Sequence, residues 1–171
     1  GRVITDAAIA AGYKRLFIVM AHKKDSNHHS HEGRLAGIKA SAERGGLAME
    51  LLEVDGAASH AVLETVLTTI DPETAILCGD YFRLEWICRA MLRTHLRIGI
   101  DAGVLCCDDG TVFQHMIQPV TRAAFPRFDA GIAAAKMMCE MLTPGRPRPS
   151  SILLPAPLIL GDTASGPQRR S

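Results

Sequence analysis

The chain has 171 residues, of which 47% are hydrophobic and 22% are charged, and its formal net charge is +1 at pH 7. This length and composition are enough for one domain with a buried core, and the small net charge gives no sign of a basic surface for nucleic acid. No apolar run reaches the roughly 18 residues of a membrane span and no signal-peptide pattern is present, so a soluble chain without a membrane partner is predicted.

Helical and strand patterns alternate along the chain with short connections, which is typical of a parallel α/β sheet. Apolar residues at helical spacing predict helices over residues 3–11, 33–43, 59–70, 81–96 and 127–142. Apolar runs predict strands over residues 16–20, 48–54, 74–78 and 103–107. The predicted fold class is therefore α/β, with a parallel sheet flanked by helices in three layers.

The C-terminal part of the chain is rich in proline. Pro126 suits the first turn of the last predicted helix, and residues 143–149 are predicted to be an exposed linker. Residues 152–160 contain two prolines and are expected to form an extended segment at a sheet edge. The tail, residues 162–171, is expected to be disordered.

Five cysteines are present: Cys78, Cys88, Cys106, Cys107 and Cys139. They form no C-x-x-C pair, and three lie in apolar runs, where a disulfide framework is not expected. Adjacent side chains of a strand point to opposite faces, so Cys106 and Cys107 are predicted to be small apolar core residues rather than a redox centre. We therefore expect reduced thiols and a cytoplasmic protein.

Polar residues follow three of the predicted strands, and ligands of open α/β sheets bind at the carboxyl ends of strands. The loop after the first strand leads into a helix whose first turn is predicted to hold Arg34. A guanidinium there favours hydroxyl-rich or anionic ligands, although a solvated arginine is an equal alternative. Asp80 follows the third strand, where capping of the next helix is its default role. Asp108 and Asp109 follow the fourth strand, as a turn or as acceptors for ligand hydroxyls.

Two kinds of metal chemistry were weighed against this interpretation. Four histidines lie within ten residues, namely His22, His28, His29 and His31. Their spacing in a loop does not make a closed tetrahedral set, so no metal ligands are predicted. Asp80, Asp108 and Asp109 could hold Mg²⁺ for phosphoryl transfer, but the chain has no phosphate-binding or nucleophile motif, so no catalytic residue and no cofactor are predicted.

Five ordered segments resemble the effector-binding domain of LacI/GalR-type bacterial transcription regulators, which is related to type I periplasmic sugar-binding proteins. The segments are Ala10-Ala11-Gly12-Tyr13-Lys14-Arg15, Arg34-Leu35-Ala36-Gly37, Cys78-Gly79-Asp80, Leu96-Arg97-Ile98-Gly99-Ile100-Asp101 and Val104-Leu105-Cys106-Cys107-Asp108-Asp109. The resemblance extends over residues 3–164 and implies a periplasmic binding protein-like fold, with a ligand cleft between two similar subdomains.

The resemblance also implies how the chain is organised. Residues 1–125 would form the C-terminal effector-binding subdomain, and residues 126–150 a helix and linker that return to an N-terminal subdomain absent from this chain. Residues 151–171 would form the final crossing strand and the tail. DNA would be bound only through a helix-turn-helix that precedes these parts and is also absent here.

The family's ligand-binding positions can be matched to residues of this sequence. Arg34 and Asp108 match two recurrent ligand contacts, with a structural ion pair between them as the alternative. Four further positions of polar ligand contact are occupied by His28, Ser30, Gly79 and Asp80. Two departures are Ala57, where an aromatic ring often stacks on the ligand, and Phe125, where a polar contact is sometimes found.

The function that the resemblance implies is binding of a sugar, sugar acid or similar polar effector by a transcription regulator that is not an enzyme. The solute-binding component of a sugar transporter is the main alternative, and a Mg²⁺-dependent phosphoryl-transfer enzyme is a weaker one. The helix predicted over residues 127–142 would have lost its natural partner. We therefore expect its apolar face to pack against a second copy, in a homodimer or a domain-swapped pair, or to fold back on its own sheet.

Overall fold

The computed structural model describes residues 1–22, 29–55, 59–143 and 151–168. The helices are α1 (Arg2–Ala10), α2 (His29–Gly45), α3 (Ser59–Leu67), α4 (Tyr81–Arg93) and α5 (Arg127–Leu142). The strands are β1 (Arg15–Ala21), β2 (Ala48–Val54), β3 (Thr74–Cys78), β4 (Gly103–Cys106), β5 (Thr121–Ala123) and β6 (Leu158–Ile159).

The strands form one sheet in the order β2-β1-β3-β4-β5-β6. The first five in this order are parallel to their neighbours, and β6 pairs antiparallel with β5 at the edge. The central strands β1, β3 and β4 are buried on both faces, which is why they read as continuous apolar runs. The predicted α/β class and its layered parallel sheet are confirmed.

Helices cover both faces of the sheet and create two separate core layers. Leu63 of α3 and Ile87 of α4 lie in the layer on one face. Ile4 of α1 and Ile38 of α2 lie in the layer on the other. Because consecutive strand residues alternate, Cys106 belongs to the first layer and Cys107 to the second, as predicted.

All five cysteines have free thiols. Burial raises the pKa of Cys107 to about 12, and it raises the pKa of Cys88 to about 11. Cys139 on α5 is exposed. Cys88 and Cys107 are therefore protonated at neutral pH. The buried Cys106 and Cys107 serve as small apolar side chains, which agrees with the prediction.

Several element boundaries differ from the predicted ones. The range of α2 begins at His29, four residues before the predicted start, so Arg34 is not in its first turn. The range of α3 ends at Leu67 and that of α4 at Arg93, each three residues early, whereas β2, β3 and α5 have the predicted bounds. Strand β5 was not predicted, because three residues with an arginine in the middle show no apolar run.

The expectation of a disordered tail is wrong for residues 162–168. The Thr163 hydroxyl donates to the carbonyl oxygen of Val104 at 2.6 Å and accepts from the backbone N–H of Thr121 at 3.1 Å. The backbone N–H of Gly166 donates to the Tyr13 hydroxyl at 3.2 Å. The tail is held because it satisfies buried polar groups that the sheet leaves open, which outweighs its polar composition. Residues 169–171 lie outside the described part.

Helix α5 has no buried residue, and its apolar side chains face outward. The exposed fractions are 80% for Phe128, 65% for Met138 and 78% for Leu142. Helix α5 therefore does not fold back onto the sheet in the described part of the chain, and that alternative of the prediction is wrong. Within the described ranges, no helix has the length and apolar character needed to cross a bilayer.

Candidate functional site

A cleft of about 560 Å³ opens at the carboxyl ends of β1, β3 and β4. Its polar lining residues are Ser30, His31, Arg34, Asp80, Arg83, Asp108 and Arg127. A smaller cavity of about 300 Å³ lies between Arg15, Met49 and Thr74, near the amino ends of the strands. We take the larger cleft as the candidate site, because ligands of parallel α/β sheets bind at the carboxyl ends of strands.

Arg34 reaches the cleft from the second turn of α2. Its Nη1 donates to the carbonyl oxygen of Gly79 at 2.6 Å, directly after β3. The predicted first-turn position is wrong because α2 begins at His29, so the free N–H groups of the helix start do not surround this guanidinium. The Gly79 carbonyl fixes the guanidinium at the strand ends instead.

Asp108 follows β4 and is almost fully buried, with 7% of its surface exposed. Its Oδ1 accepts from Arg127 Nη2 at 2.8 Å and from the backbone N–H of Asp109 at 2.9 Å. Arg127 is the first residue of α5, and its Nη2 also donates to the Asp109 carbonyl oxygen at 2.7 Å. The carboxylate thus joins the sheet to the start of α5.

Arg34 and Asp108 do not form the ion pair that was the alternative to ligand binding. Among the described residues, the ionic partner of Asp108 is Arg127, whereas Arg34 contacts a neutral carbonyl. Both side chains face one cleft without neutralising each other.

Asp80 has the predicted capping role at the start of α4. Its Oδ1 accepts from the backbone N–H of Arg83 at 3.0 Å, and its Oδ2 lies 3.4 Å from Arg83 Nη1. The Arg83 guanidinium lies 5.3 Å from the Trp86 ring centre, and its Nε is buried without a hydrogen-bond partner among the described residues. The capping bond is therefore made by Oδ1, and the longer contact of the Arg83 guanidinium is shared between the two Asp80 oxygens.

The acidic residues of the strand ends do not form a metal site. Asp109 Oδ1 accepts from Arg122 Nε at 2.7 Å, so Asp109 has an arginine partner just as Asp108 has Arg127. Within the described part of the chain no group of three histidine, cysteine or acidic side chains is placed to hold a metal ion. Arginine pairing disfavours the magnesium alternative, because the carboxylates already face positive charge.

Three aromatic side chains complete the cleft: Tyr81, Phe82 and Phe125. Tyr81 and Phe82 begin α4 and have ring centres 4.1 Å apart. Phe125 precedes α5 and lies 5.3 Å from the Arg127 guanidinium carbon. These rings offer apolar faces on the α4 and α5 sides, although the position of Ala57 lies outside the described residues.

The structure brings Ser30, Arg34, Asp80 and Asp108 to one cleft, and Gly79 contributes through its carbonyl oxygen. His28 lies outside the described residues, so its assignment stays a prediction, as do the ligand-binding roles of the others. Arg127 was not predicted as a partner of Asp108. Its position depends on β5, which ends four residues before Arg127 and has no signal of its own in the sequence.

Comparisons with known proteins identify the fold. A family model described as "Periplasmic binding protein-like domain" matches residues 5–164. The solved structure of a dimeric Lac repressor with a C-terminal deletion has a TM-score of 0.81 and 20% identity, and the match covers 98% of this chain and 61% of that one. No curated protein matches the sequence.

Two further structures have the same fold. A LacI-family regulator from Enterococcus faecium with bound ribose has a TM-score of 0.80 and 15% identity over 98% of this chain and 63% of that one. A LacI-family regulator from Bifidobacterium animalis has a TM-score of 0.78 and 17% identity over 96% of this chain and 63% of that one. The chain thus spans less than two thirds of the length of these proteins and has the same fold over the part that it covers.

Proposed function

We propose, since this chain belongs to the family of periplasmic binding protein-like domains, that it is the effector-binding domain of a cytoplasmic LacI-type transcription regulator. The observation that carries the proposal is the cleft at the strand ends. Arg34 and Asp108 both line this cleft, and they do not form an ion pair with each other. Support comes from solved structures of the same fold, which are LacI-family regulators, one of them with bound ribose.

The chemistry of the cleft suits a sugar, a sugar acid or a similar polar metabolite. Arg34 offers N–H donors to hydroxyl or carboxylate oxygens, and Asp108 accepts from hydroxyl groups. Phe82 and Phe125 are about half exposed, so their rings are accessible to the apolar face of a sugar ring. Ser30 and Asp80 supply further polar atoms at the rim.

The regulation we propose is a coupling between the cleft and α5. A ligand that contacts Asp108 acts on the carboxylate that also holds Arg127, the first residue of α5. Ligand binding therefore changes the relative stability of two arrangements of this helix, provided that the ligand has different affinities for them. DNA binding belongs to a helix-turn-helix outside these residues, and this chain supplies the sensor.

The two alternatives have less support. A solute-binding protein of a transporter works outside the cytoplasm, in an oxidising environment where cysteines are commonly paired, whereas the five cysteines of this chain are free. Phosphoryl transfer through Mg²⁺ is disfavoured by the arginine partners of Asp108 and Asp109. We therefore propose binding without catalysis.

A thermal-shift screen of the protein against sugars, sugar acids, polyols and nucleobases tests the proposal. A ligand that binds the native state raises the melting temperature in proportion to the logarithm of its concentration above Kd. We expect at least one class to give a saturable increase that is lost in Arg34→Ala, with the circular dichroism spectrum unchanged. A variant that fails to fold would favour a structural role for Arg34, and an absence of any shift would contradict the proposed function.

We further propose that the protein is a homodimer in which a second copy covers the apolar face of α5. The side chains on that face are too exposed for a stable monomer surface, and one solved structure of this fold is a dimeric Lac repressor. Sedimentation velocity should show a concentration-dependent dimer, and Met138→Glu with Leu142→Glu should shift it to monomer. The matched change Thr68→Glu, at an exposed site following α3, should leave it intact. A monomer at all concentrations would contradict this.

A further inference from the structure

The cleft holds an imbalance of charge between its arginines and its carboxylates. Three guanidinium groups line it, from Arg34, Arg83 and Arg127, against two carboxylates. Arg83 is paired with Asp80 and Arg127 with Asp108. Arg34 has no carboxylate partner among the described residues, so of these three guanidinium charges it is the one without a described counter-charge.

The position of Arg34 makes this charge available to a ligand. Its Nη1 is fixed at 2.6 Å on the Gly79 carbonyl oxygen, and the side chain is partly buried at the strand ends. A guanidinium carries five N–H donors in a rigid plane, so one contact leaves donors that can bind two oxygens of one group. Partial burial also strengthens an ionic contact relative to one in bulk water.

Asp108 lines the same cleft and favours hydroxyl donors over anions. Both of its described donors, Arg127 Nη2 and the Asp109 backbone N–H, contact Oδ1. The described residues donate no hydrogen bond to Oδ2, so its lone pairs remain for a hydroxyl donor. A carboxylate repels an anionic group, so a ligand with both kinds of group would turn its hydroxyls to Asp108 and its anionic end to Arg34.

We propose that the cleft selects a hydroxylated anion, whose carboxylate or phosphate group binds Arg34 while a hydroxyl donates to Asp108. This inference rests on the proposed function and narrows its ligand class from polar metabolites in general to anionic ones. A neutral sugar leaves the Arg34 charge partly desolvated without a counter-charge, whereas an anion replaces the lost water with charge-assisted hydrogen bonds.

Calorimetric titration of the protein with matched pairs of ligands tests the inference. The pairs are D-galactose with D-galacturonate, D-glucose with D-gluconate, and D-ribose with ribose 5-phosphate. We expect at least one anion to bind about tenfold or more tightly than its neutral partner, and its affinity to fall between about 20 and 200 mM salt because ions screen the contact. The first two pairs report on a carboxylate and the third on a phosphate.

Variants of Arg34 assign the preference to this side chain. Arg34→Gln removes the charge and is expected to abolish the preference for the anion, whereas Arg34→Lys keeps the charge and part of the preference. The control Arg89→Gln removes the same charge from an exposed ion pair with Glu85, outside the cleft, and is expected to leave all affinities unchanged. Circular dichroism spectra before each titration establish that the variants are folded.

The possible results separate this inference from the proposed function. A neutral sugar that binds as tightly as its anionic partner overturns the inference and leaves the proposed function standing. If Arg34→Gln lowers the affinity for both members of a pair equally, the inference is also overturned. Arg34 would then donate hydrogen bonds to both ligands without favouring the anion. If none of the six ligands binds but the thermal-shift screen finds a neutral polyol or nucleobase, the inference is overturned and the proposed function stands. If the screen also finds no ligand, both fail.

Discussion

Replacement of Thr163 by valine is expected to lower the free energy of unfolding by about 2–5 kcal/mol, because two buried backbone groups lose their hydrogen-bond partner. The Thr163 hydroxyl joins the Val104 carbonyl oxygen of β4 to the Thr121 N–H of β5. Valine has the same shape and fills the same space, so the loss measures the hydrogen bonds rather than a cavity.

Urea unfolding followed by circular dichroism measures this effect. Thr163→Ser keeps the hydroxyl and is expected to retain most of the stability. The matched control Thr68→Val, at an exposed site, is expected to change the free energy of unfolding by less than about 0.5 kcal/mol. If Thr163→Val matches that control, the tail does not stabilise the sheet.

Replacement of Asp108 by asparagine is expected to weaken binding of the effector about ten- to a hundredfold, the equivalent of one hydrogen bond to a charged group. The amide has one acceptor oxygen where the carboxylate has two, and it loses the charge that orients Arg127. The fold should survive, since the change removes a nearly buried charge and its partner Arg127 is 58% exposed.

Isothermal titration with the ligand found in the screen measures the change, and thermal unfolding without ligand measures the effect on the fold. The control Asp6→Asn breaks another pair of an aspartate with an arginine, the exposed contact between Asp6 and Arg44 at 2.7 Å on α1 and α2. It is expected to leave the affinity unchanged. Unaltered binding in Asp108→Asn would show that this carboxylate is not a ligand contact.

The fold could be predicted where one element carries its own signal. The apolar run of β4 and the helical spacing of α5 identify them without tertiary information. Strand β5 could not be found in this way, because Thr121–Ala123 is short and contains Arg122, which pairs with Asp109 after folding. The order of the tail could not be predicted either, because it depends on the hydrogen bonds of one hydroxyl, that of Thr163, in a segment of polar composition.

The candidate site was predictable to the extent that a general rule of sheet geometry determines it. Arg34, Asp80 and Asp108 come after β1, β3 and β4 in the chain. The carboxyl ends of these strands meet at one edge of the sheet, and the structure brings the three residues to one cleft there. The start of α2 was placed too late because His29–Glu32 has no apolar periodicity to reveal a helix. Arg127 was missed as a partner because its position depends on β5, which the sequence does not reveal.

The contact between the tail and the body of the protein has a consequence for synthesis on the ribosome. Tyr13 is synthesised 153 residues before its partner Gly166. Until then β4 lacks the Thr163 hydroxyl, and β5 has neither β6 nor the tail beside it. While the residues between Tyr13 and Gly166 are being synthesised, the nascent chain therefore exposes an unfinished sheet edge to chaperones and proteases, and the native contacts of β5 form only after residues 158–166 have emerged.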